Sequence, residues 1–443
     1  MKDKAKRETR QASQAVLEQL RNFVAPLVAE LDKQIDKRLV RTFVKTLQAI
    51  VTFRHGQQGL LLSELGGYIT SPSQAPAGTK RLSNLLRSAK WGAEIIEGFL
   101  WRRGQARLAQ LQEAGEDGLL VWDDSILEKA ESIALEGLCA VRSSVAARLK
   151  RIKPGYFNPP GGRPVFVPGL QWICVLLLGW RGAPVVVAMD WWTSRGKFAS
   201  DKRSRHEQLL GRLAQDFGRR VLHVFDRGFA GAPWLGQAFG QHIRFVMRWP
   251  KAYKLLNIEG QLQAAWRIAR GKRAWQQRYI HDARRHVQRK IGFLALEVAH
   301  PDYPDENLWL VISRQGPARQ PWYLLTNEPI FTTDDAWRLI LAYARRWQIE
   351  MAYRYAKSEL AFESPRLWFW HNRRKLLLMA TLVYAFLLSL LDPAFDALRH
   401  WLLRHFCHRT GKRSQVALTP LYRLRAALSS LWLASQPPFL NSG

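Results

Sequence analysis

The stretch 342–357, AYARRWQIEMAYRYAK, decides how the rest of the chain is read. Thr332, with Asp335 three residues on, is a capping signal ahead of it, and neither Gly nor Pro falls between Thr333 and Leu360. The spacing predicts one long helix. On a wheel of roughly 100° per residue, Tyr343, Arg346, Glu350, Arg354 and Lys357 share an arc of about 80°, with Trp347 at its edge. Trp337, Leu341, Ala344, Met351, Ala352 and Tyr355 fill the adjoining and opposite arc. One face packs, while the other gathers a carboxylate, three cations and a phenol. The bland reading is an amphipathic helix with a charged face. The sharper one is a metal-binding carboxylate set beside a phosphate backbone.

Composition favours the sharper reading. Lys and Arg outnumber Asp and Glu by 67 to 36, a formal charge of +31, which points to a polyanionic partner. The cations are spread through folded segments instead of a polybasic tail, so nucleic acid is favoured over a membrane surface. At 443 residues the chain predicts two to four structural units. Cys139, Cys174 and Cys407 lie far apart, the usage of a reduced, cytoplasmic protein with no disulfide framework. MKDKAKRETRQ at the start lacks the apolar core of a secretory signal. The apolar run Leu376–Leu391 is shorter than the ~20 residues of a membrane span and reads as a buried helix. No GxxxxGK[ST] loop occurs, so ATP is not expected.

Taken in order, residues 13–31, 36–53, 79–86 and 93–111 read as helices, with a kink or split at Pro26 and a Gly/Ser/Pro-bearing break at 66–80. From 118, GLLVWDDS is an apolar strand that ends in two acids. Alternation sends Asp123 and Asp124 to opposite faces, so only one should act as a ligand. LQWICVLLLGW (170–180) and APVVVAMDWW (183–192) follow as a hairpin through Arg181–Gly182. A basic segment turns helical towards Phe217. RRVLHVFDRGFAG then gives a strand ending at Asp226, a short helix follows at 233–239, and RFVMRWP is the fifth strand. Residues 251–330 close on three alternating segments, KIGFLALEVAH, LWLVISRQ and PWYLLTNEP, and read as β-rich.

The spacing Tyr343-x2-Arg346-x3-Glu350-x6-Lys357 resembles the Y-R-E-K signature of DDE-type insertion-sequence transposases. Asp226-Arg227-Gly228-Phe229 is similar to the second-acid motif of that family, and Asp123-Asp124-Ser125 matches its first, D-x-S, from Asp123. The resemblance spans roughly residues 117–390. It implies an α/β protein with a ribonuclease H-like catalytic core, interrupted by a β-rich insertion and preceded by an N-terminal all-helical domain. The expected division is 1–112 helical and DNA-binding, 113–250 core, 251–330 insertion, 331–392 second part of the core and 393–443 C-terminal region. Asp123, Asp226 and Glu350 would be the catalytic, metal-binding acids, with Asp124 the alternative to Asp123. Two Mg²⁺ or Mn²⁺ ions are expected, since hard divalent ions take carboxylate oxygens and a pair serves both sides of a phosphodiester exchange. Tyr343, Arg346, Arg354, Lys357 and Arg227 would bind DNA. The partners implied are double-stranded transposon ends and target DNA, held by a homodimer on paired ends. Two rivals stand: a metal-dependent nuclease of the same fold without strand transfer, and an inactive DNA-binding regulator.

Other clusters carry less. His400, His405, Cys407 and His408 fit no metal-ligand spacing and read as a basic helix end. Trp191, Trp192, Trp275 and Trp347 have the chemistry to stack on an unstacked base. With 19 tryptophans in the chain, each reads first as core.

Overall fold

The computed structural model describes residues 2–53, 59–129, 134–143, 165–282, 287–316, 320–406 and 421–435. Five helices lead: α1 (Lys2–Asp32), α2 (Lys37–Thr52), α3 (Leu62–Ile69), α4 (Ala75–Arg87) and α5 (Glu94–Glu113). Strands β1 (Gly118–Glu128), β2 (Cys139–Arg142), β3 (Phe166–Leu178) and β4 (Val185–Trp192) follow. Next come α6 (Lys202–Phe217), β5 (Val221–Phe225), α7 (Ala232–Gly240) and β6 (Arg244–Arg248). A β-rich stretch holds β7 (Lys254–Leu256), β8 (Leu262–Ala264), α8 (Ala265–Ile268), β9 (Gln276–Asp282), β10 (Val287–His300), β11 (Tyr303–Arg314) and β12 (Trp322–Thr326). Helices α9 (Thr333–Ala344), α10 (Trp347–Ser358), α11 (Trp370–Ser389), α12 (Asp396–Phe406) and α13 (Leu421–Ala434) complete the described chain.

Among the described residues the strands form one mixed sheet. β3 pairs antiparallel with β1 and carries β2 and β4 along its other edge. β1, β5 and β6 run parallel to one another. β12 then pairs antiparallel with β6, and β11 and β10 continue outward. The strands of 251–330 therefore extend the same sheet.

Period-two alternation sorts the two faces. Leu119, Val121, Val224 and Val246 pack into the layer that holds α9, α10 and α11. Leu120, Trp122, Phe225 and Phe245 pack into the opposite layer, with Leu210, Leu213 and Phe217 of α6. The apolar run 376–391 falls largely on α11, which is buried along most of its length. Among the described residues no single helix is long and apolar enough to cross a membrane. The N-terminal helices share the first core: Leu27 and Ile50 belong to the cluster of Phe386 and Leu428. Phe23 meets the Phe386 ring edge-on at 5.6 Å. The Ser13 hydroxyl donates to the Ser435 carbonyl at 3.0 Å, and Ser429 to the Thr52 carbonyl at 2.6 Å, tying α1 and α2 to α13.

Several expectations are corrected. Pro26 does not split the first helix; α1 runs unbroken across it. Pro26 and Asn22, whose carbonyl the ring deprives of its partner, both face solvent, which leaves that carbonyl open to hydration. The break at 66–80 holds the last turn of α3 and the start of α4, which cross so closely that a Cβ on Gly78 would stand 2.1 Å from the Gly66 carbonyl oxygen. β2 was not anticipated. β1 does not end at its acids either, because β3 stays paired with it as far as Glu128; only the parallel partner β5 stops, at Val121↔Val224.

His223 of β5 sits fully buried, its Nδ1 accepting from the Trp122 indole at 3.1 Å. Burial pushes its pKa down from 6.5 to about 3. A depressed folded pKa means that the neutral ring contributes its full stability above pH 6.5, and that this contribution is lost as pH falls from there towards 3. Denaturant titrations should show the wild type losing up to about 1.4 kcal/mol per pH unit across that window relative to His223→Gln. Parallel declines in the two proteins would contradict the buried neutral ring.

Candidate active site

Three local rules bring Asp123, Asp226 and Glu350 together. Asp123 has the parity of Val121, so it faces the α9–α10 layer just where β5 ceases to pair with β1. The Tyr353 hydroxyl donates to the Asp123 main-chain carbonyl and holds α10 against that point. Asp226 follows the last residue of β5 and leads into a single 3₁₀ turn, Arg227–Phe229. Glu350 lies in the first turn of α10.

The expected single helix is in fact two, and the break is at Arg345–Arg346. α9 opens on a reciprocal capping box between Thr332 and Asp335. After Ala344 the ladder tightens to i→i−3 bonds, Arg346 N–H to the Tyr343 carbonyl and Ile349 N–H to the Arg346 carbonyl, both 3.0 Å. No Gly or Pro causes this. Both arginines at the break are drawn to distant groups: Arg345 donates to the Gly182 carbonyl at 2.8 Å, and Arg346 turns into the acids. Tertiary bonds override a local preference for helix.

Arg346 is the hub. Its Nη1 lies 3.1 Å from Asp123 Oδ2, its Nε 3.8 Å from Asp226 Oδ1, and its Nη2 bonds Glu350 Oε1. The side chain is only 12% exposed. Burial pushes the Asp123 carboxyl up to about 7, against the pull of Arg346, and the Asp226 charge adds to the rise. Tyr343 is buried, and its hydroxyl donates to Asp226 Oδ1 at 3.1 Å. Burial, then the Asp226 charge, pushes that phenol up to about 12, so it remains a donor.

Asp124 points to the other face. His206 and Lys202 of α6 hold its carboxylate at 2.7 and 2.6 Å. Burial alone would raise it, but the hydrogen bond and charge of His206 and the Lys202 ammonium outweigh that and keep it below the usual range. His206, Lys202 and Tyr353 escaped the sequence reading. The available signal was Asp201 opening a helix with a Lys and a His four residues apart, hence on one face.

The five residues expected at DNA divide. Arg354 and Arg227 are exposed beside the acids in sequence. Arg346 is committed to the carboxylates and Tyr343 to Asp226. Lys357 is half-buried; burial lowers its pKa, with Glu363 and Glu128 opposing. Trp347 is 42% exposed and Trp275 47%, whereas Trp191 and Trp192 are core. His405 of α12 stacks on Trp401; Cys407 and His408 lie outside the described residues.

Among the described residues no three His, Cys, Asp or Glu side chains stand close enough to hold a metal ion by themselves. The three acids are instead spread around the width of one guanidinium. Their chemistry nonetheless fits divalent ions of the Mg²⁺ class: carboxylate oxygens only, facing one cationic centre from two strands and a helix. No curated protein matches the chain. Residues 200–386, which hold Asp226, Glu350 and all five expected DNA contacts but begin after Asp123, match the family described as Transposase DDE domain, and this supports a DDE-type transposase.

Proposed function

We propose that the protein is a transposase that cleaves phosphodiester bonds at transposon ends and transfers the resulting 3′-hydroxyl to target DNA. One observation carries this: a single guanidinium that touches Asp123, Asp226 and Glu350 from two strands and a helix. The family match over 200–386 supports it. So does the strand order β4-β3-β1-β5-β6, with β1, β5 and β6 parallel, the order of a ribonuclease H-like core. In that reading β7–β12, within 251–330, are the β-rich insertion, α1–α5 the DNA-binding helices, and the active form a homodimer on paired ends.

Asp123, Asp226 and Glu350 would hold two Mg²⁺ or Mn²⁺ ions, which supply activation of the attacking oxygen and stabilisation of the leaving one. The chain's own residues do the rest. Tyr343 fixes the Asp226 carboxylate by donating to Oδ1, and Tyr353 anchors β1 beneath Asp123. Arg227 and Arg354, both exposed and near the acids in sequence, take phosphate oxygens.

The basic balance makes binding salt-dependent. The plot of log K against log salt for terminal-repeat duplex should flatten by roughly one unit for Arg354→Ala and again for Arg227→Ala. An unchanged slope in both variants would remove these residues from the DNA interface. The function itself is tested by incubating the chain with the inverted repeats that bracket its reading frame. Cleavage at the repeat ends that requires Mg²⁺ and stops with chelator is expected; none under any divalent ion would favour the regulator.

A further inference from the structure

Three carboxylates set around one guanidinium repel one another, and something must supply the opposing charge. In this chain the supplier is built in. Arg346 reaches Asp123, Asp226 and Glu350 with three different nitrogens, Nη1, Nε and Nη2. Each of its three nitrogens is therefore turned toward an acid. The residue lies in the two-residue break between α9 and α10, so a rotation of its side chain requires no unwinding of either helix.

We propose that Arg346 is a resident counter-ion that shields the three acids in the DNA-free protein, and that it yields their oxygens to divalent ions only when a DNA phosphate takes its fork. A guanidinium recognises carboxylate and phosphate by the same bidentate geometry, which makes the phosphodiester a matched exchange partner. A guanidinium and a divalent ion compete for these carboxylates, since the two positive charges repel each other at such short range. DNA and metal are therefore coupled: each strengthens binding of the other, by the same factor. The proposal rests on the reading of Asp123, Asp226 and Glu350 as the metal set.

The test is Mn²⁺ binding to the full chain, followed by electron paramagnetic resonance of the free ion, with and without a terminal-repeat duplex. In the wild type, duplex should tighten Mn²⁺ binding by about 5- to 150-fold, and Mn²⁺ should tighten duplex binding equally. Arg346→Gln, without DNA, should bind Mn²⁺ more tightly than wild type, and added duplex should then gain it little. Arg346→Lys, which keeps the charge but loses the fork, safeguards against a variant that fails to fold: one ammonium cannot span three acids, so it too should bind Mn²⁺ more tightly than wild type. Wild-type Mn²⁺ affinity in both folded variants, or no effect of duplex on the wild type, overturns the counter-ion role. The metal reading is judged separately, by Asp226→Asn introduced into the same proteins. If Mn²⁺ binding survives that change undiminished, the acids are not the ligands.

Discussion

Asp226→Asn and Glu350→Gln should each lower Mg²⁺-dependent cleavage by at least about 10³-fold while leaving duplex affinity, measured without divalent ion, within about twofold of wild type. Each swap keeps side-chain volume and a hydrogen-bond acceptor, so Tyr343 keeps a partner at position 226 and Arg346 one at position 350. What disappears is a negatively charged oxygen ligand. Asp123→Asn should behave the same way. Asp124→Ala should not: it deprives His206 and Lys202 of their partner on the far side of the sheet, so it should cost about 1–3 kcal/mol of stability and spare cleavage by the folded fraction. Near-normal cleavage by Asp226→Asn or Glu350→Gln would end the assignment. If Asp124→Ala, still folded, matched the loss expected of Asp123→Asn, the two acids would have to exchange roles.

The second large effect separates a transposase from a nuclease of the same fold. Purified protein, a pre-cleaved repeat end and supercoiled plasmid should give covalently joined product in the presence of Mg²⁺. A 3′-dideoxy donor strand should block joining completely without weakening binding, because the hydroxyl is the nucleophile of the second step. A nuclease has no use for that hydroxyl. Nicked or linear plasmid alone, indifferent to the dideoxy end, would move the reading to hydrolysis. The surplus of cations argues for two duplexes held together: Arg267, Arg270, Lys272, Arg273, Arg278, Arg289 and Lys290 lie in or beside β8 to β10, away from the acids in sequence.

How much of this was legible in the sequence depends on the range of each interaction. The strand character of 118–125, the opposite faces of Asp123 and Asp124, and the capping box of α9 follow from alternation and local bonds, which a linear reading can follow. The break at Arg345–Arg346 does not. It is favoured by Gly182 and Asp123, which lie 163 and 223 residues away, while the local run holds no Gly or Pro to break a helix. The partners of Asp124 were hidden for the same reason, since His206 is 82 residues along and its segment reads only as basic and helical. The full length of β1 was hidden too, because pairing with β3 carries it past its acids into a stretch with no apolar run. α3 was lost to a rule that treats Gly-Gly and Pro as breakers, when here Gly66 makes room for the close approach of α4.

The bond between Ser13 and Ser435 sets a clock on the birth of the molecule. These residues are 422 positions apart, and a ribosome adding about 5–20 residues per second takes roughly 20–80 s to travel between them. For most of that interval α1 and α2 carry apolar stripes whose cover, first α11 and then α13, has yet to be made. The nascent chain must keep those stripes from sticking to neighbours until α11 and α13 are in hand. Synthesis that stalls before α13 leaves the first helices without their closing partner, a product for chaperones and proteases to claim.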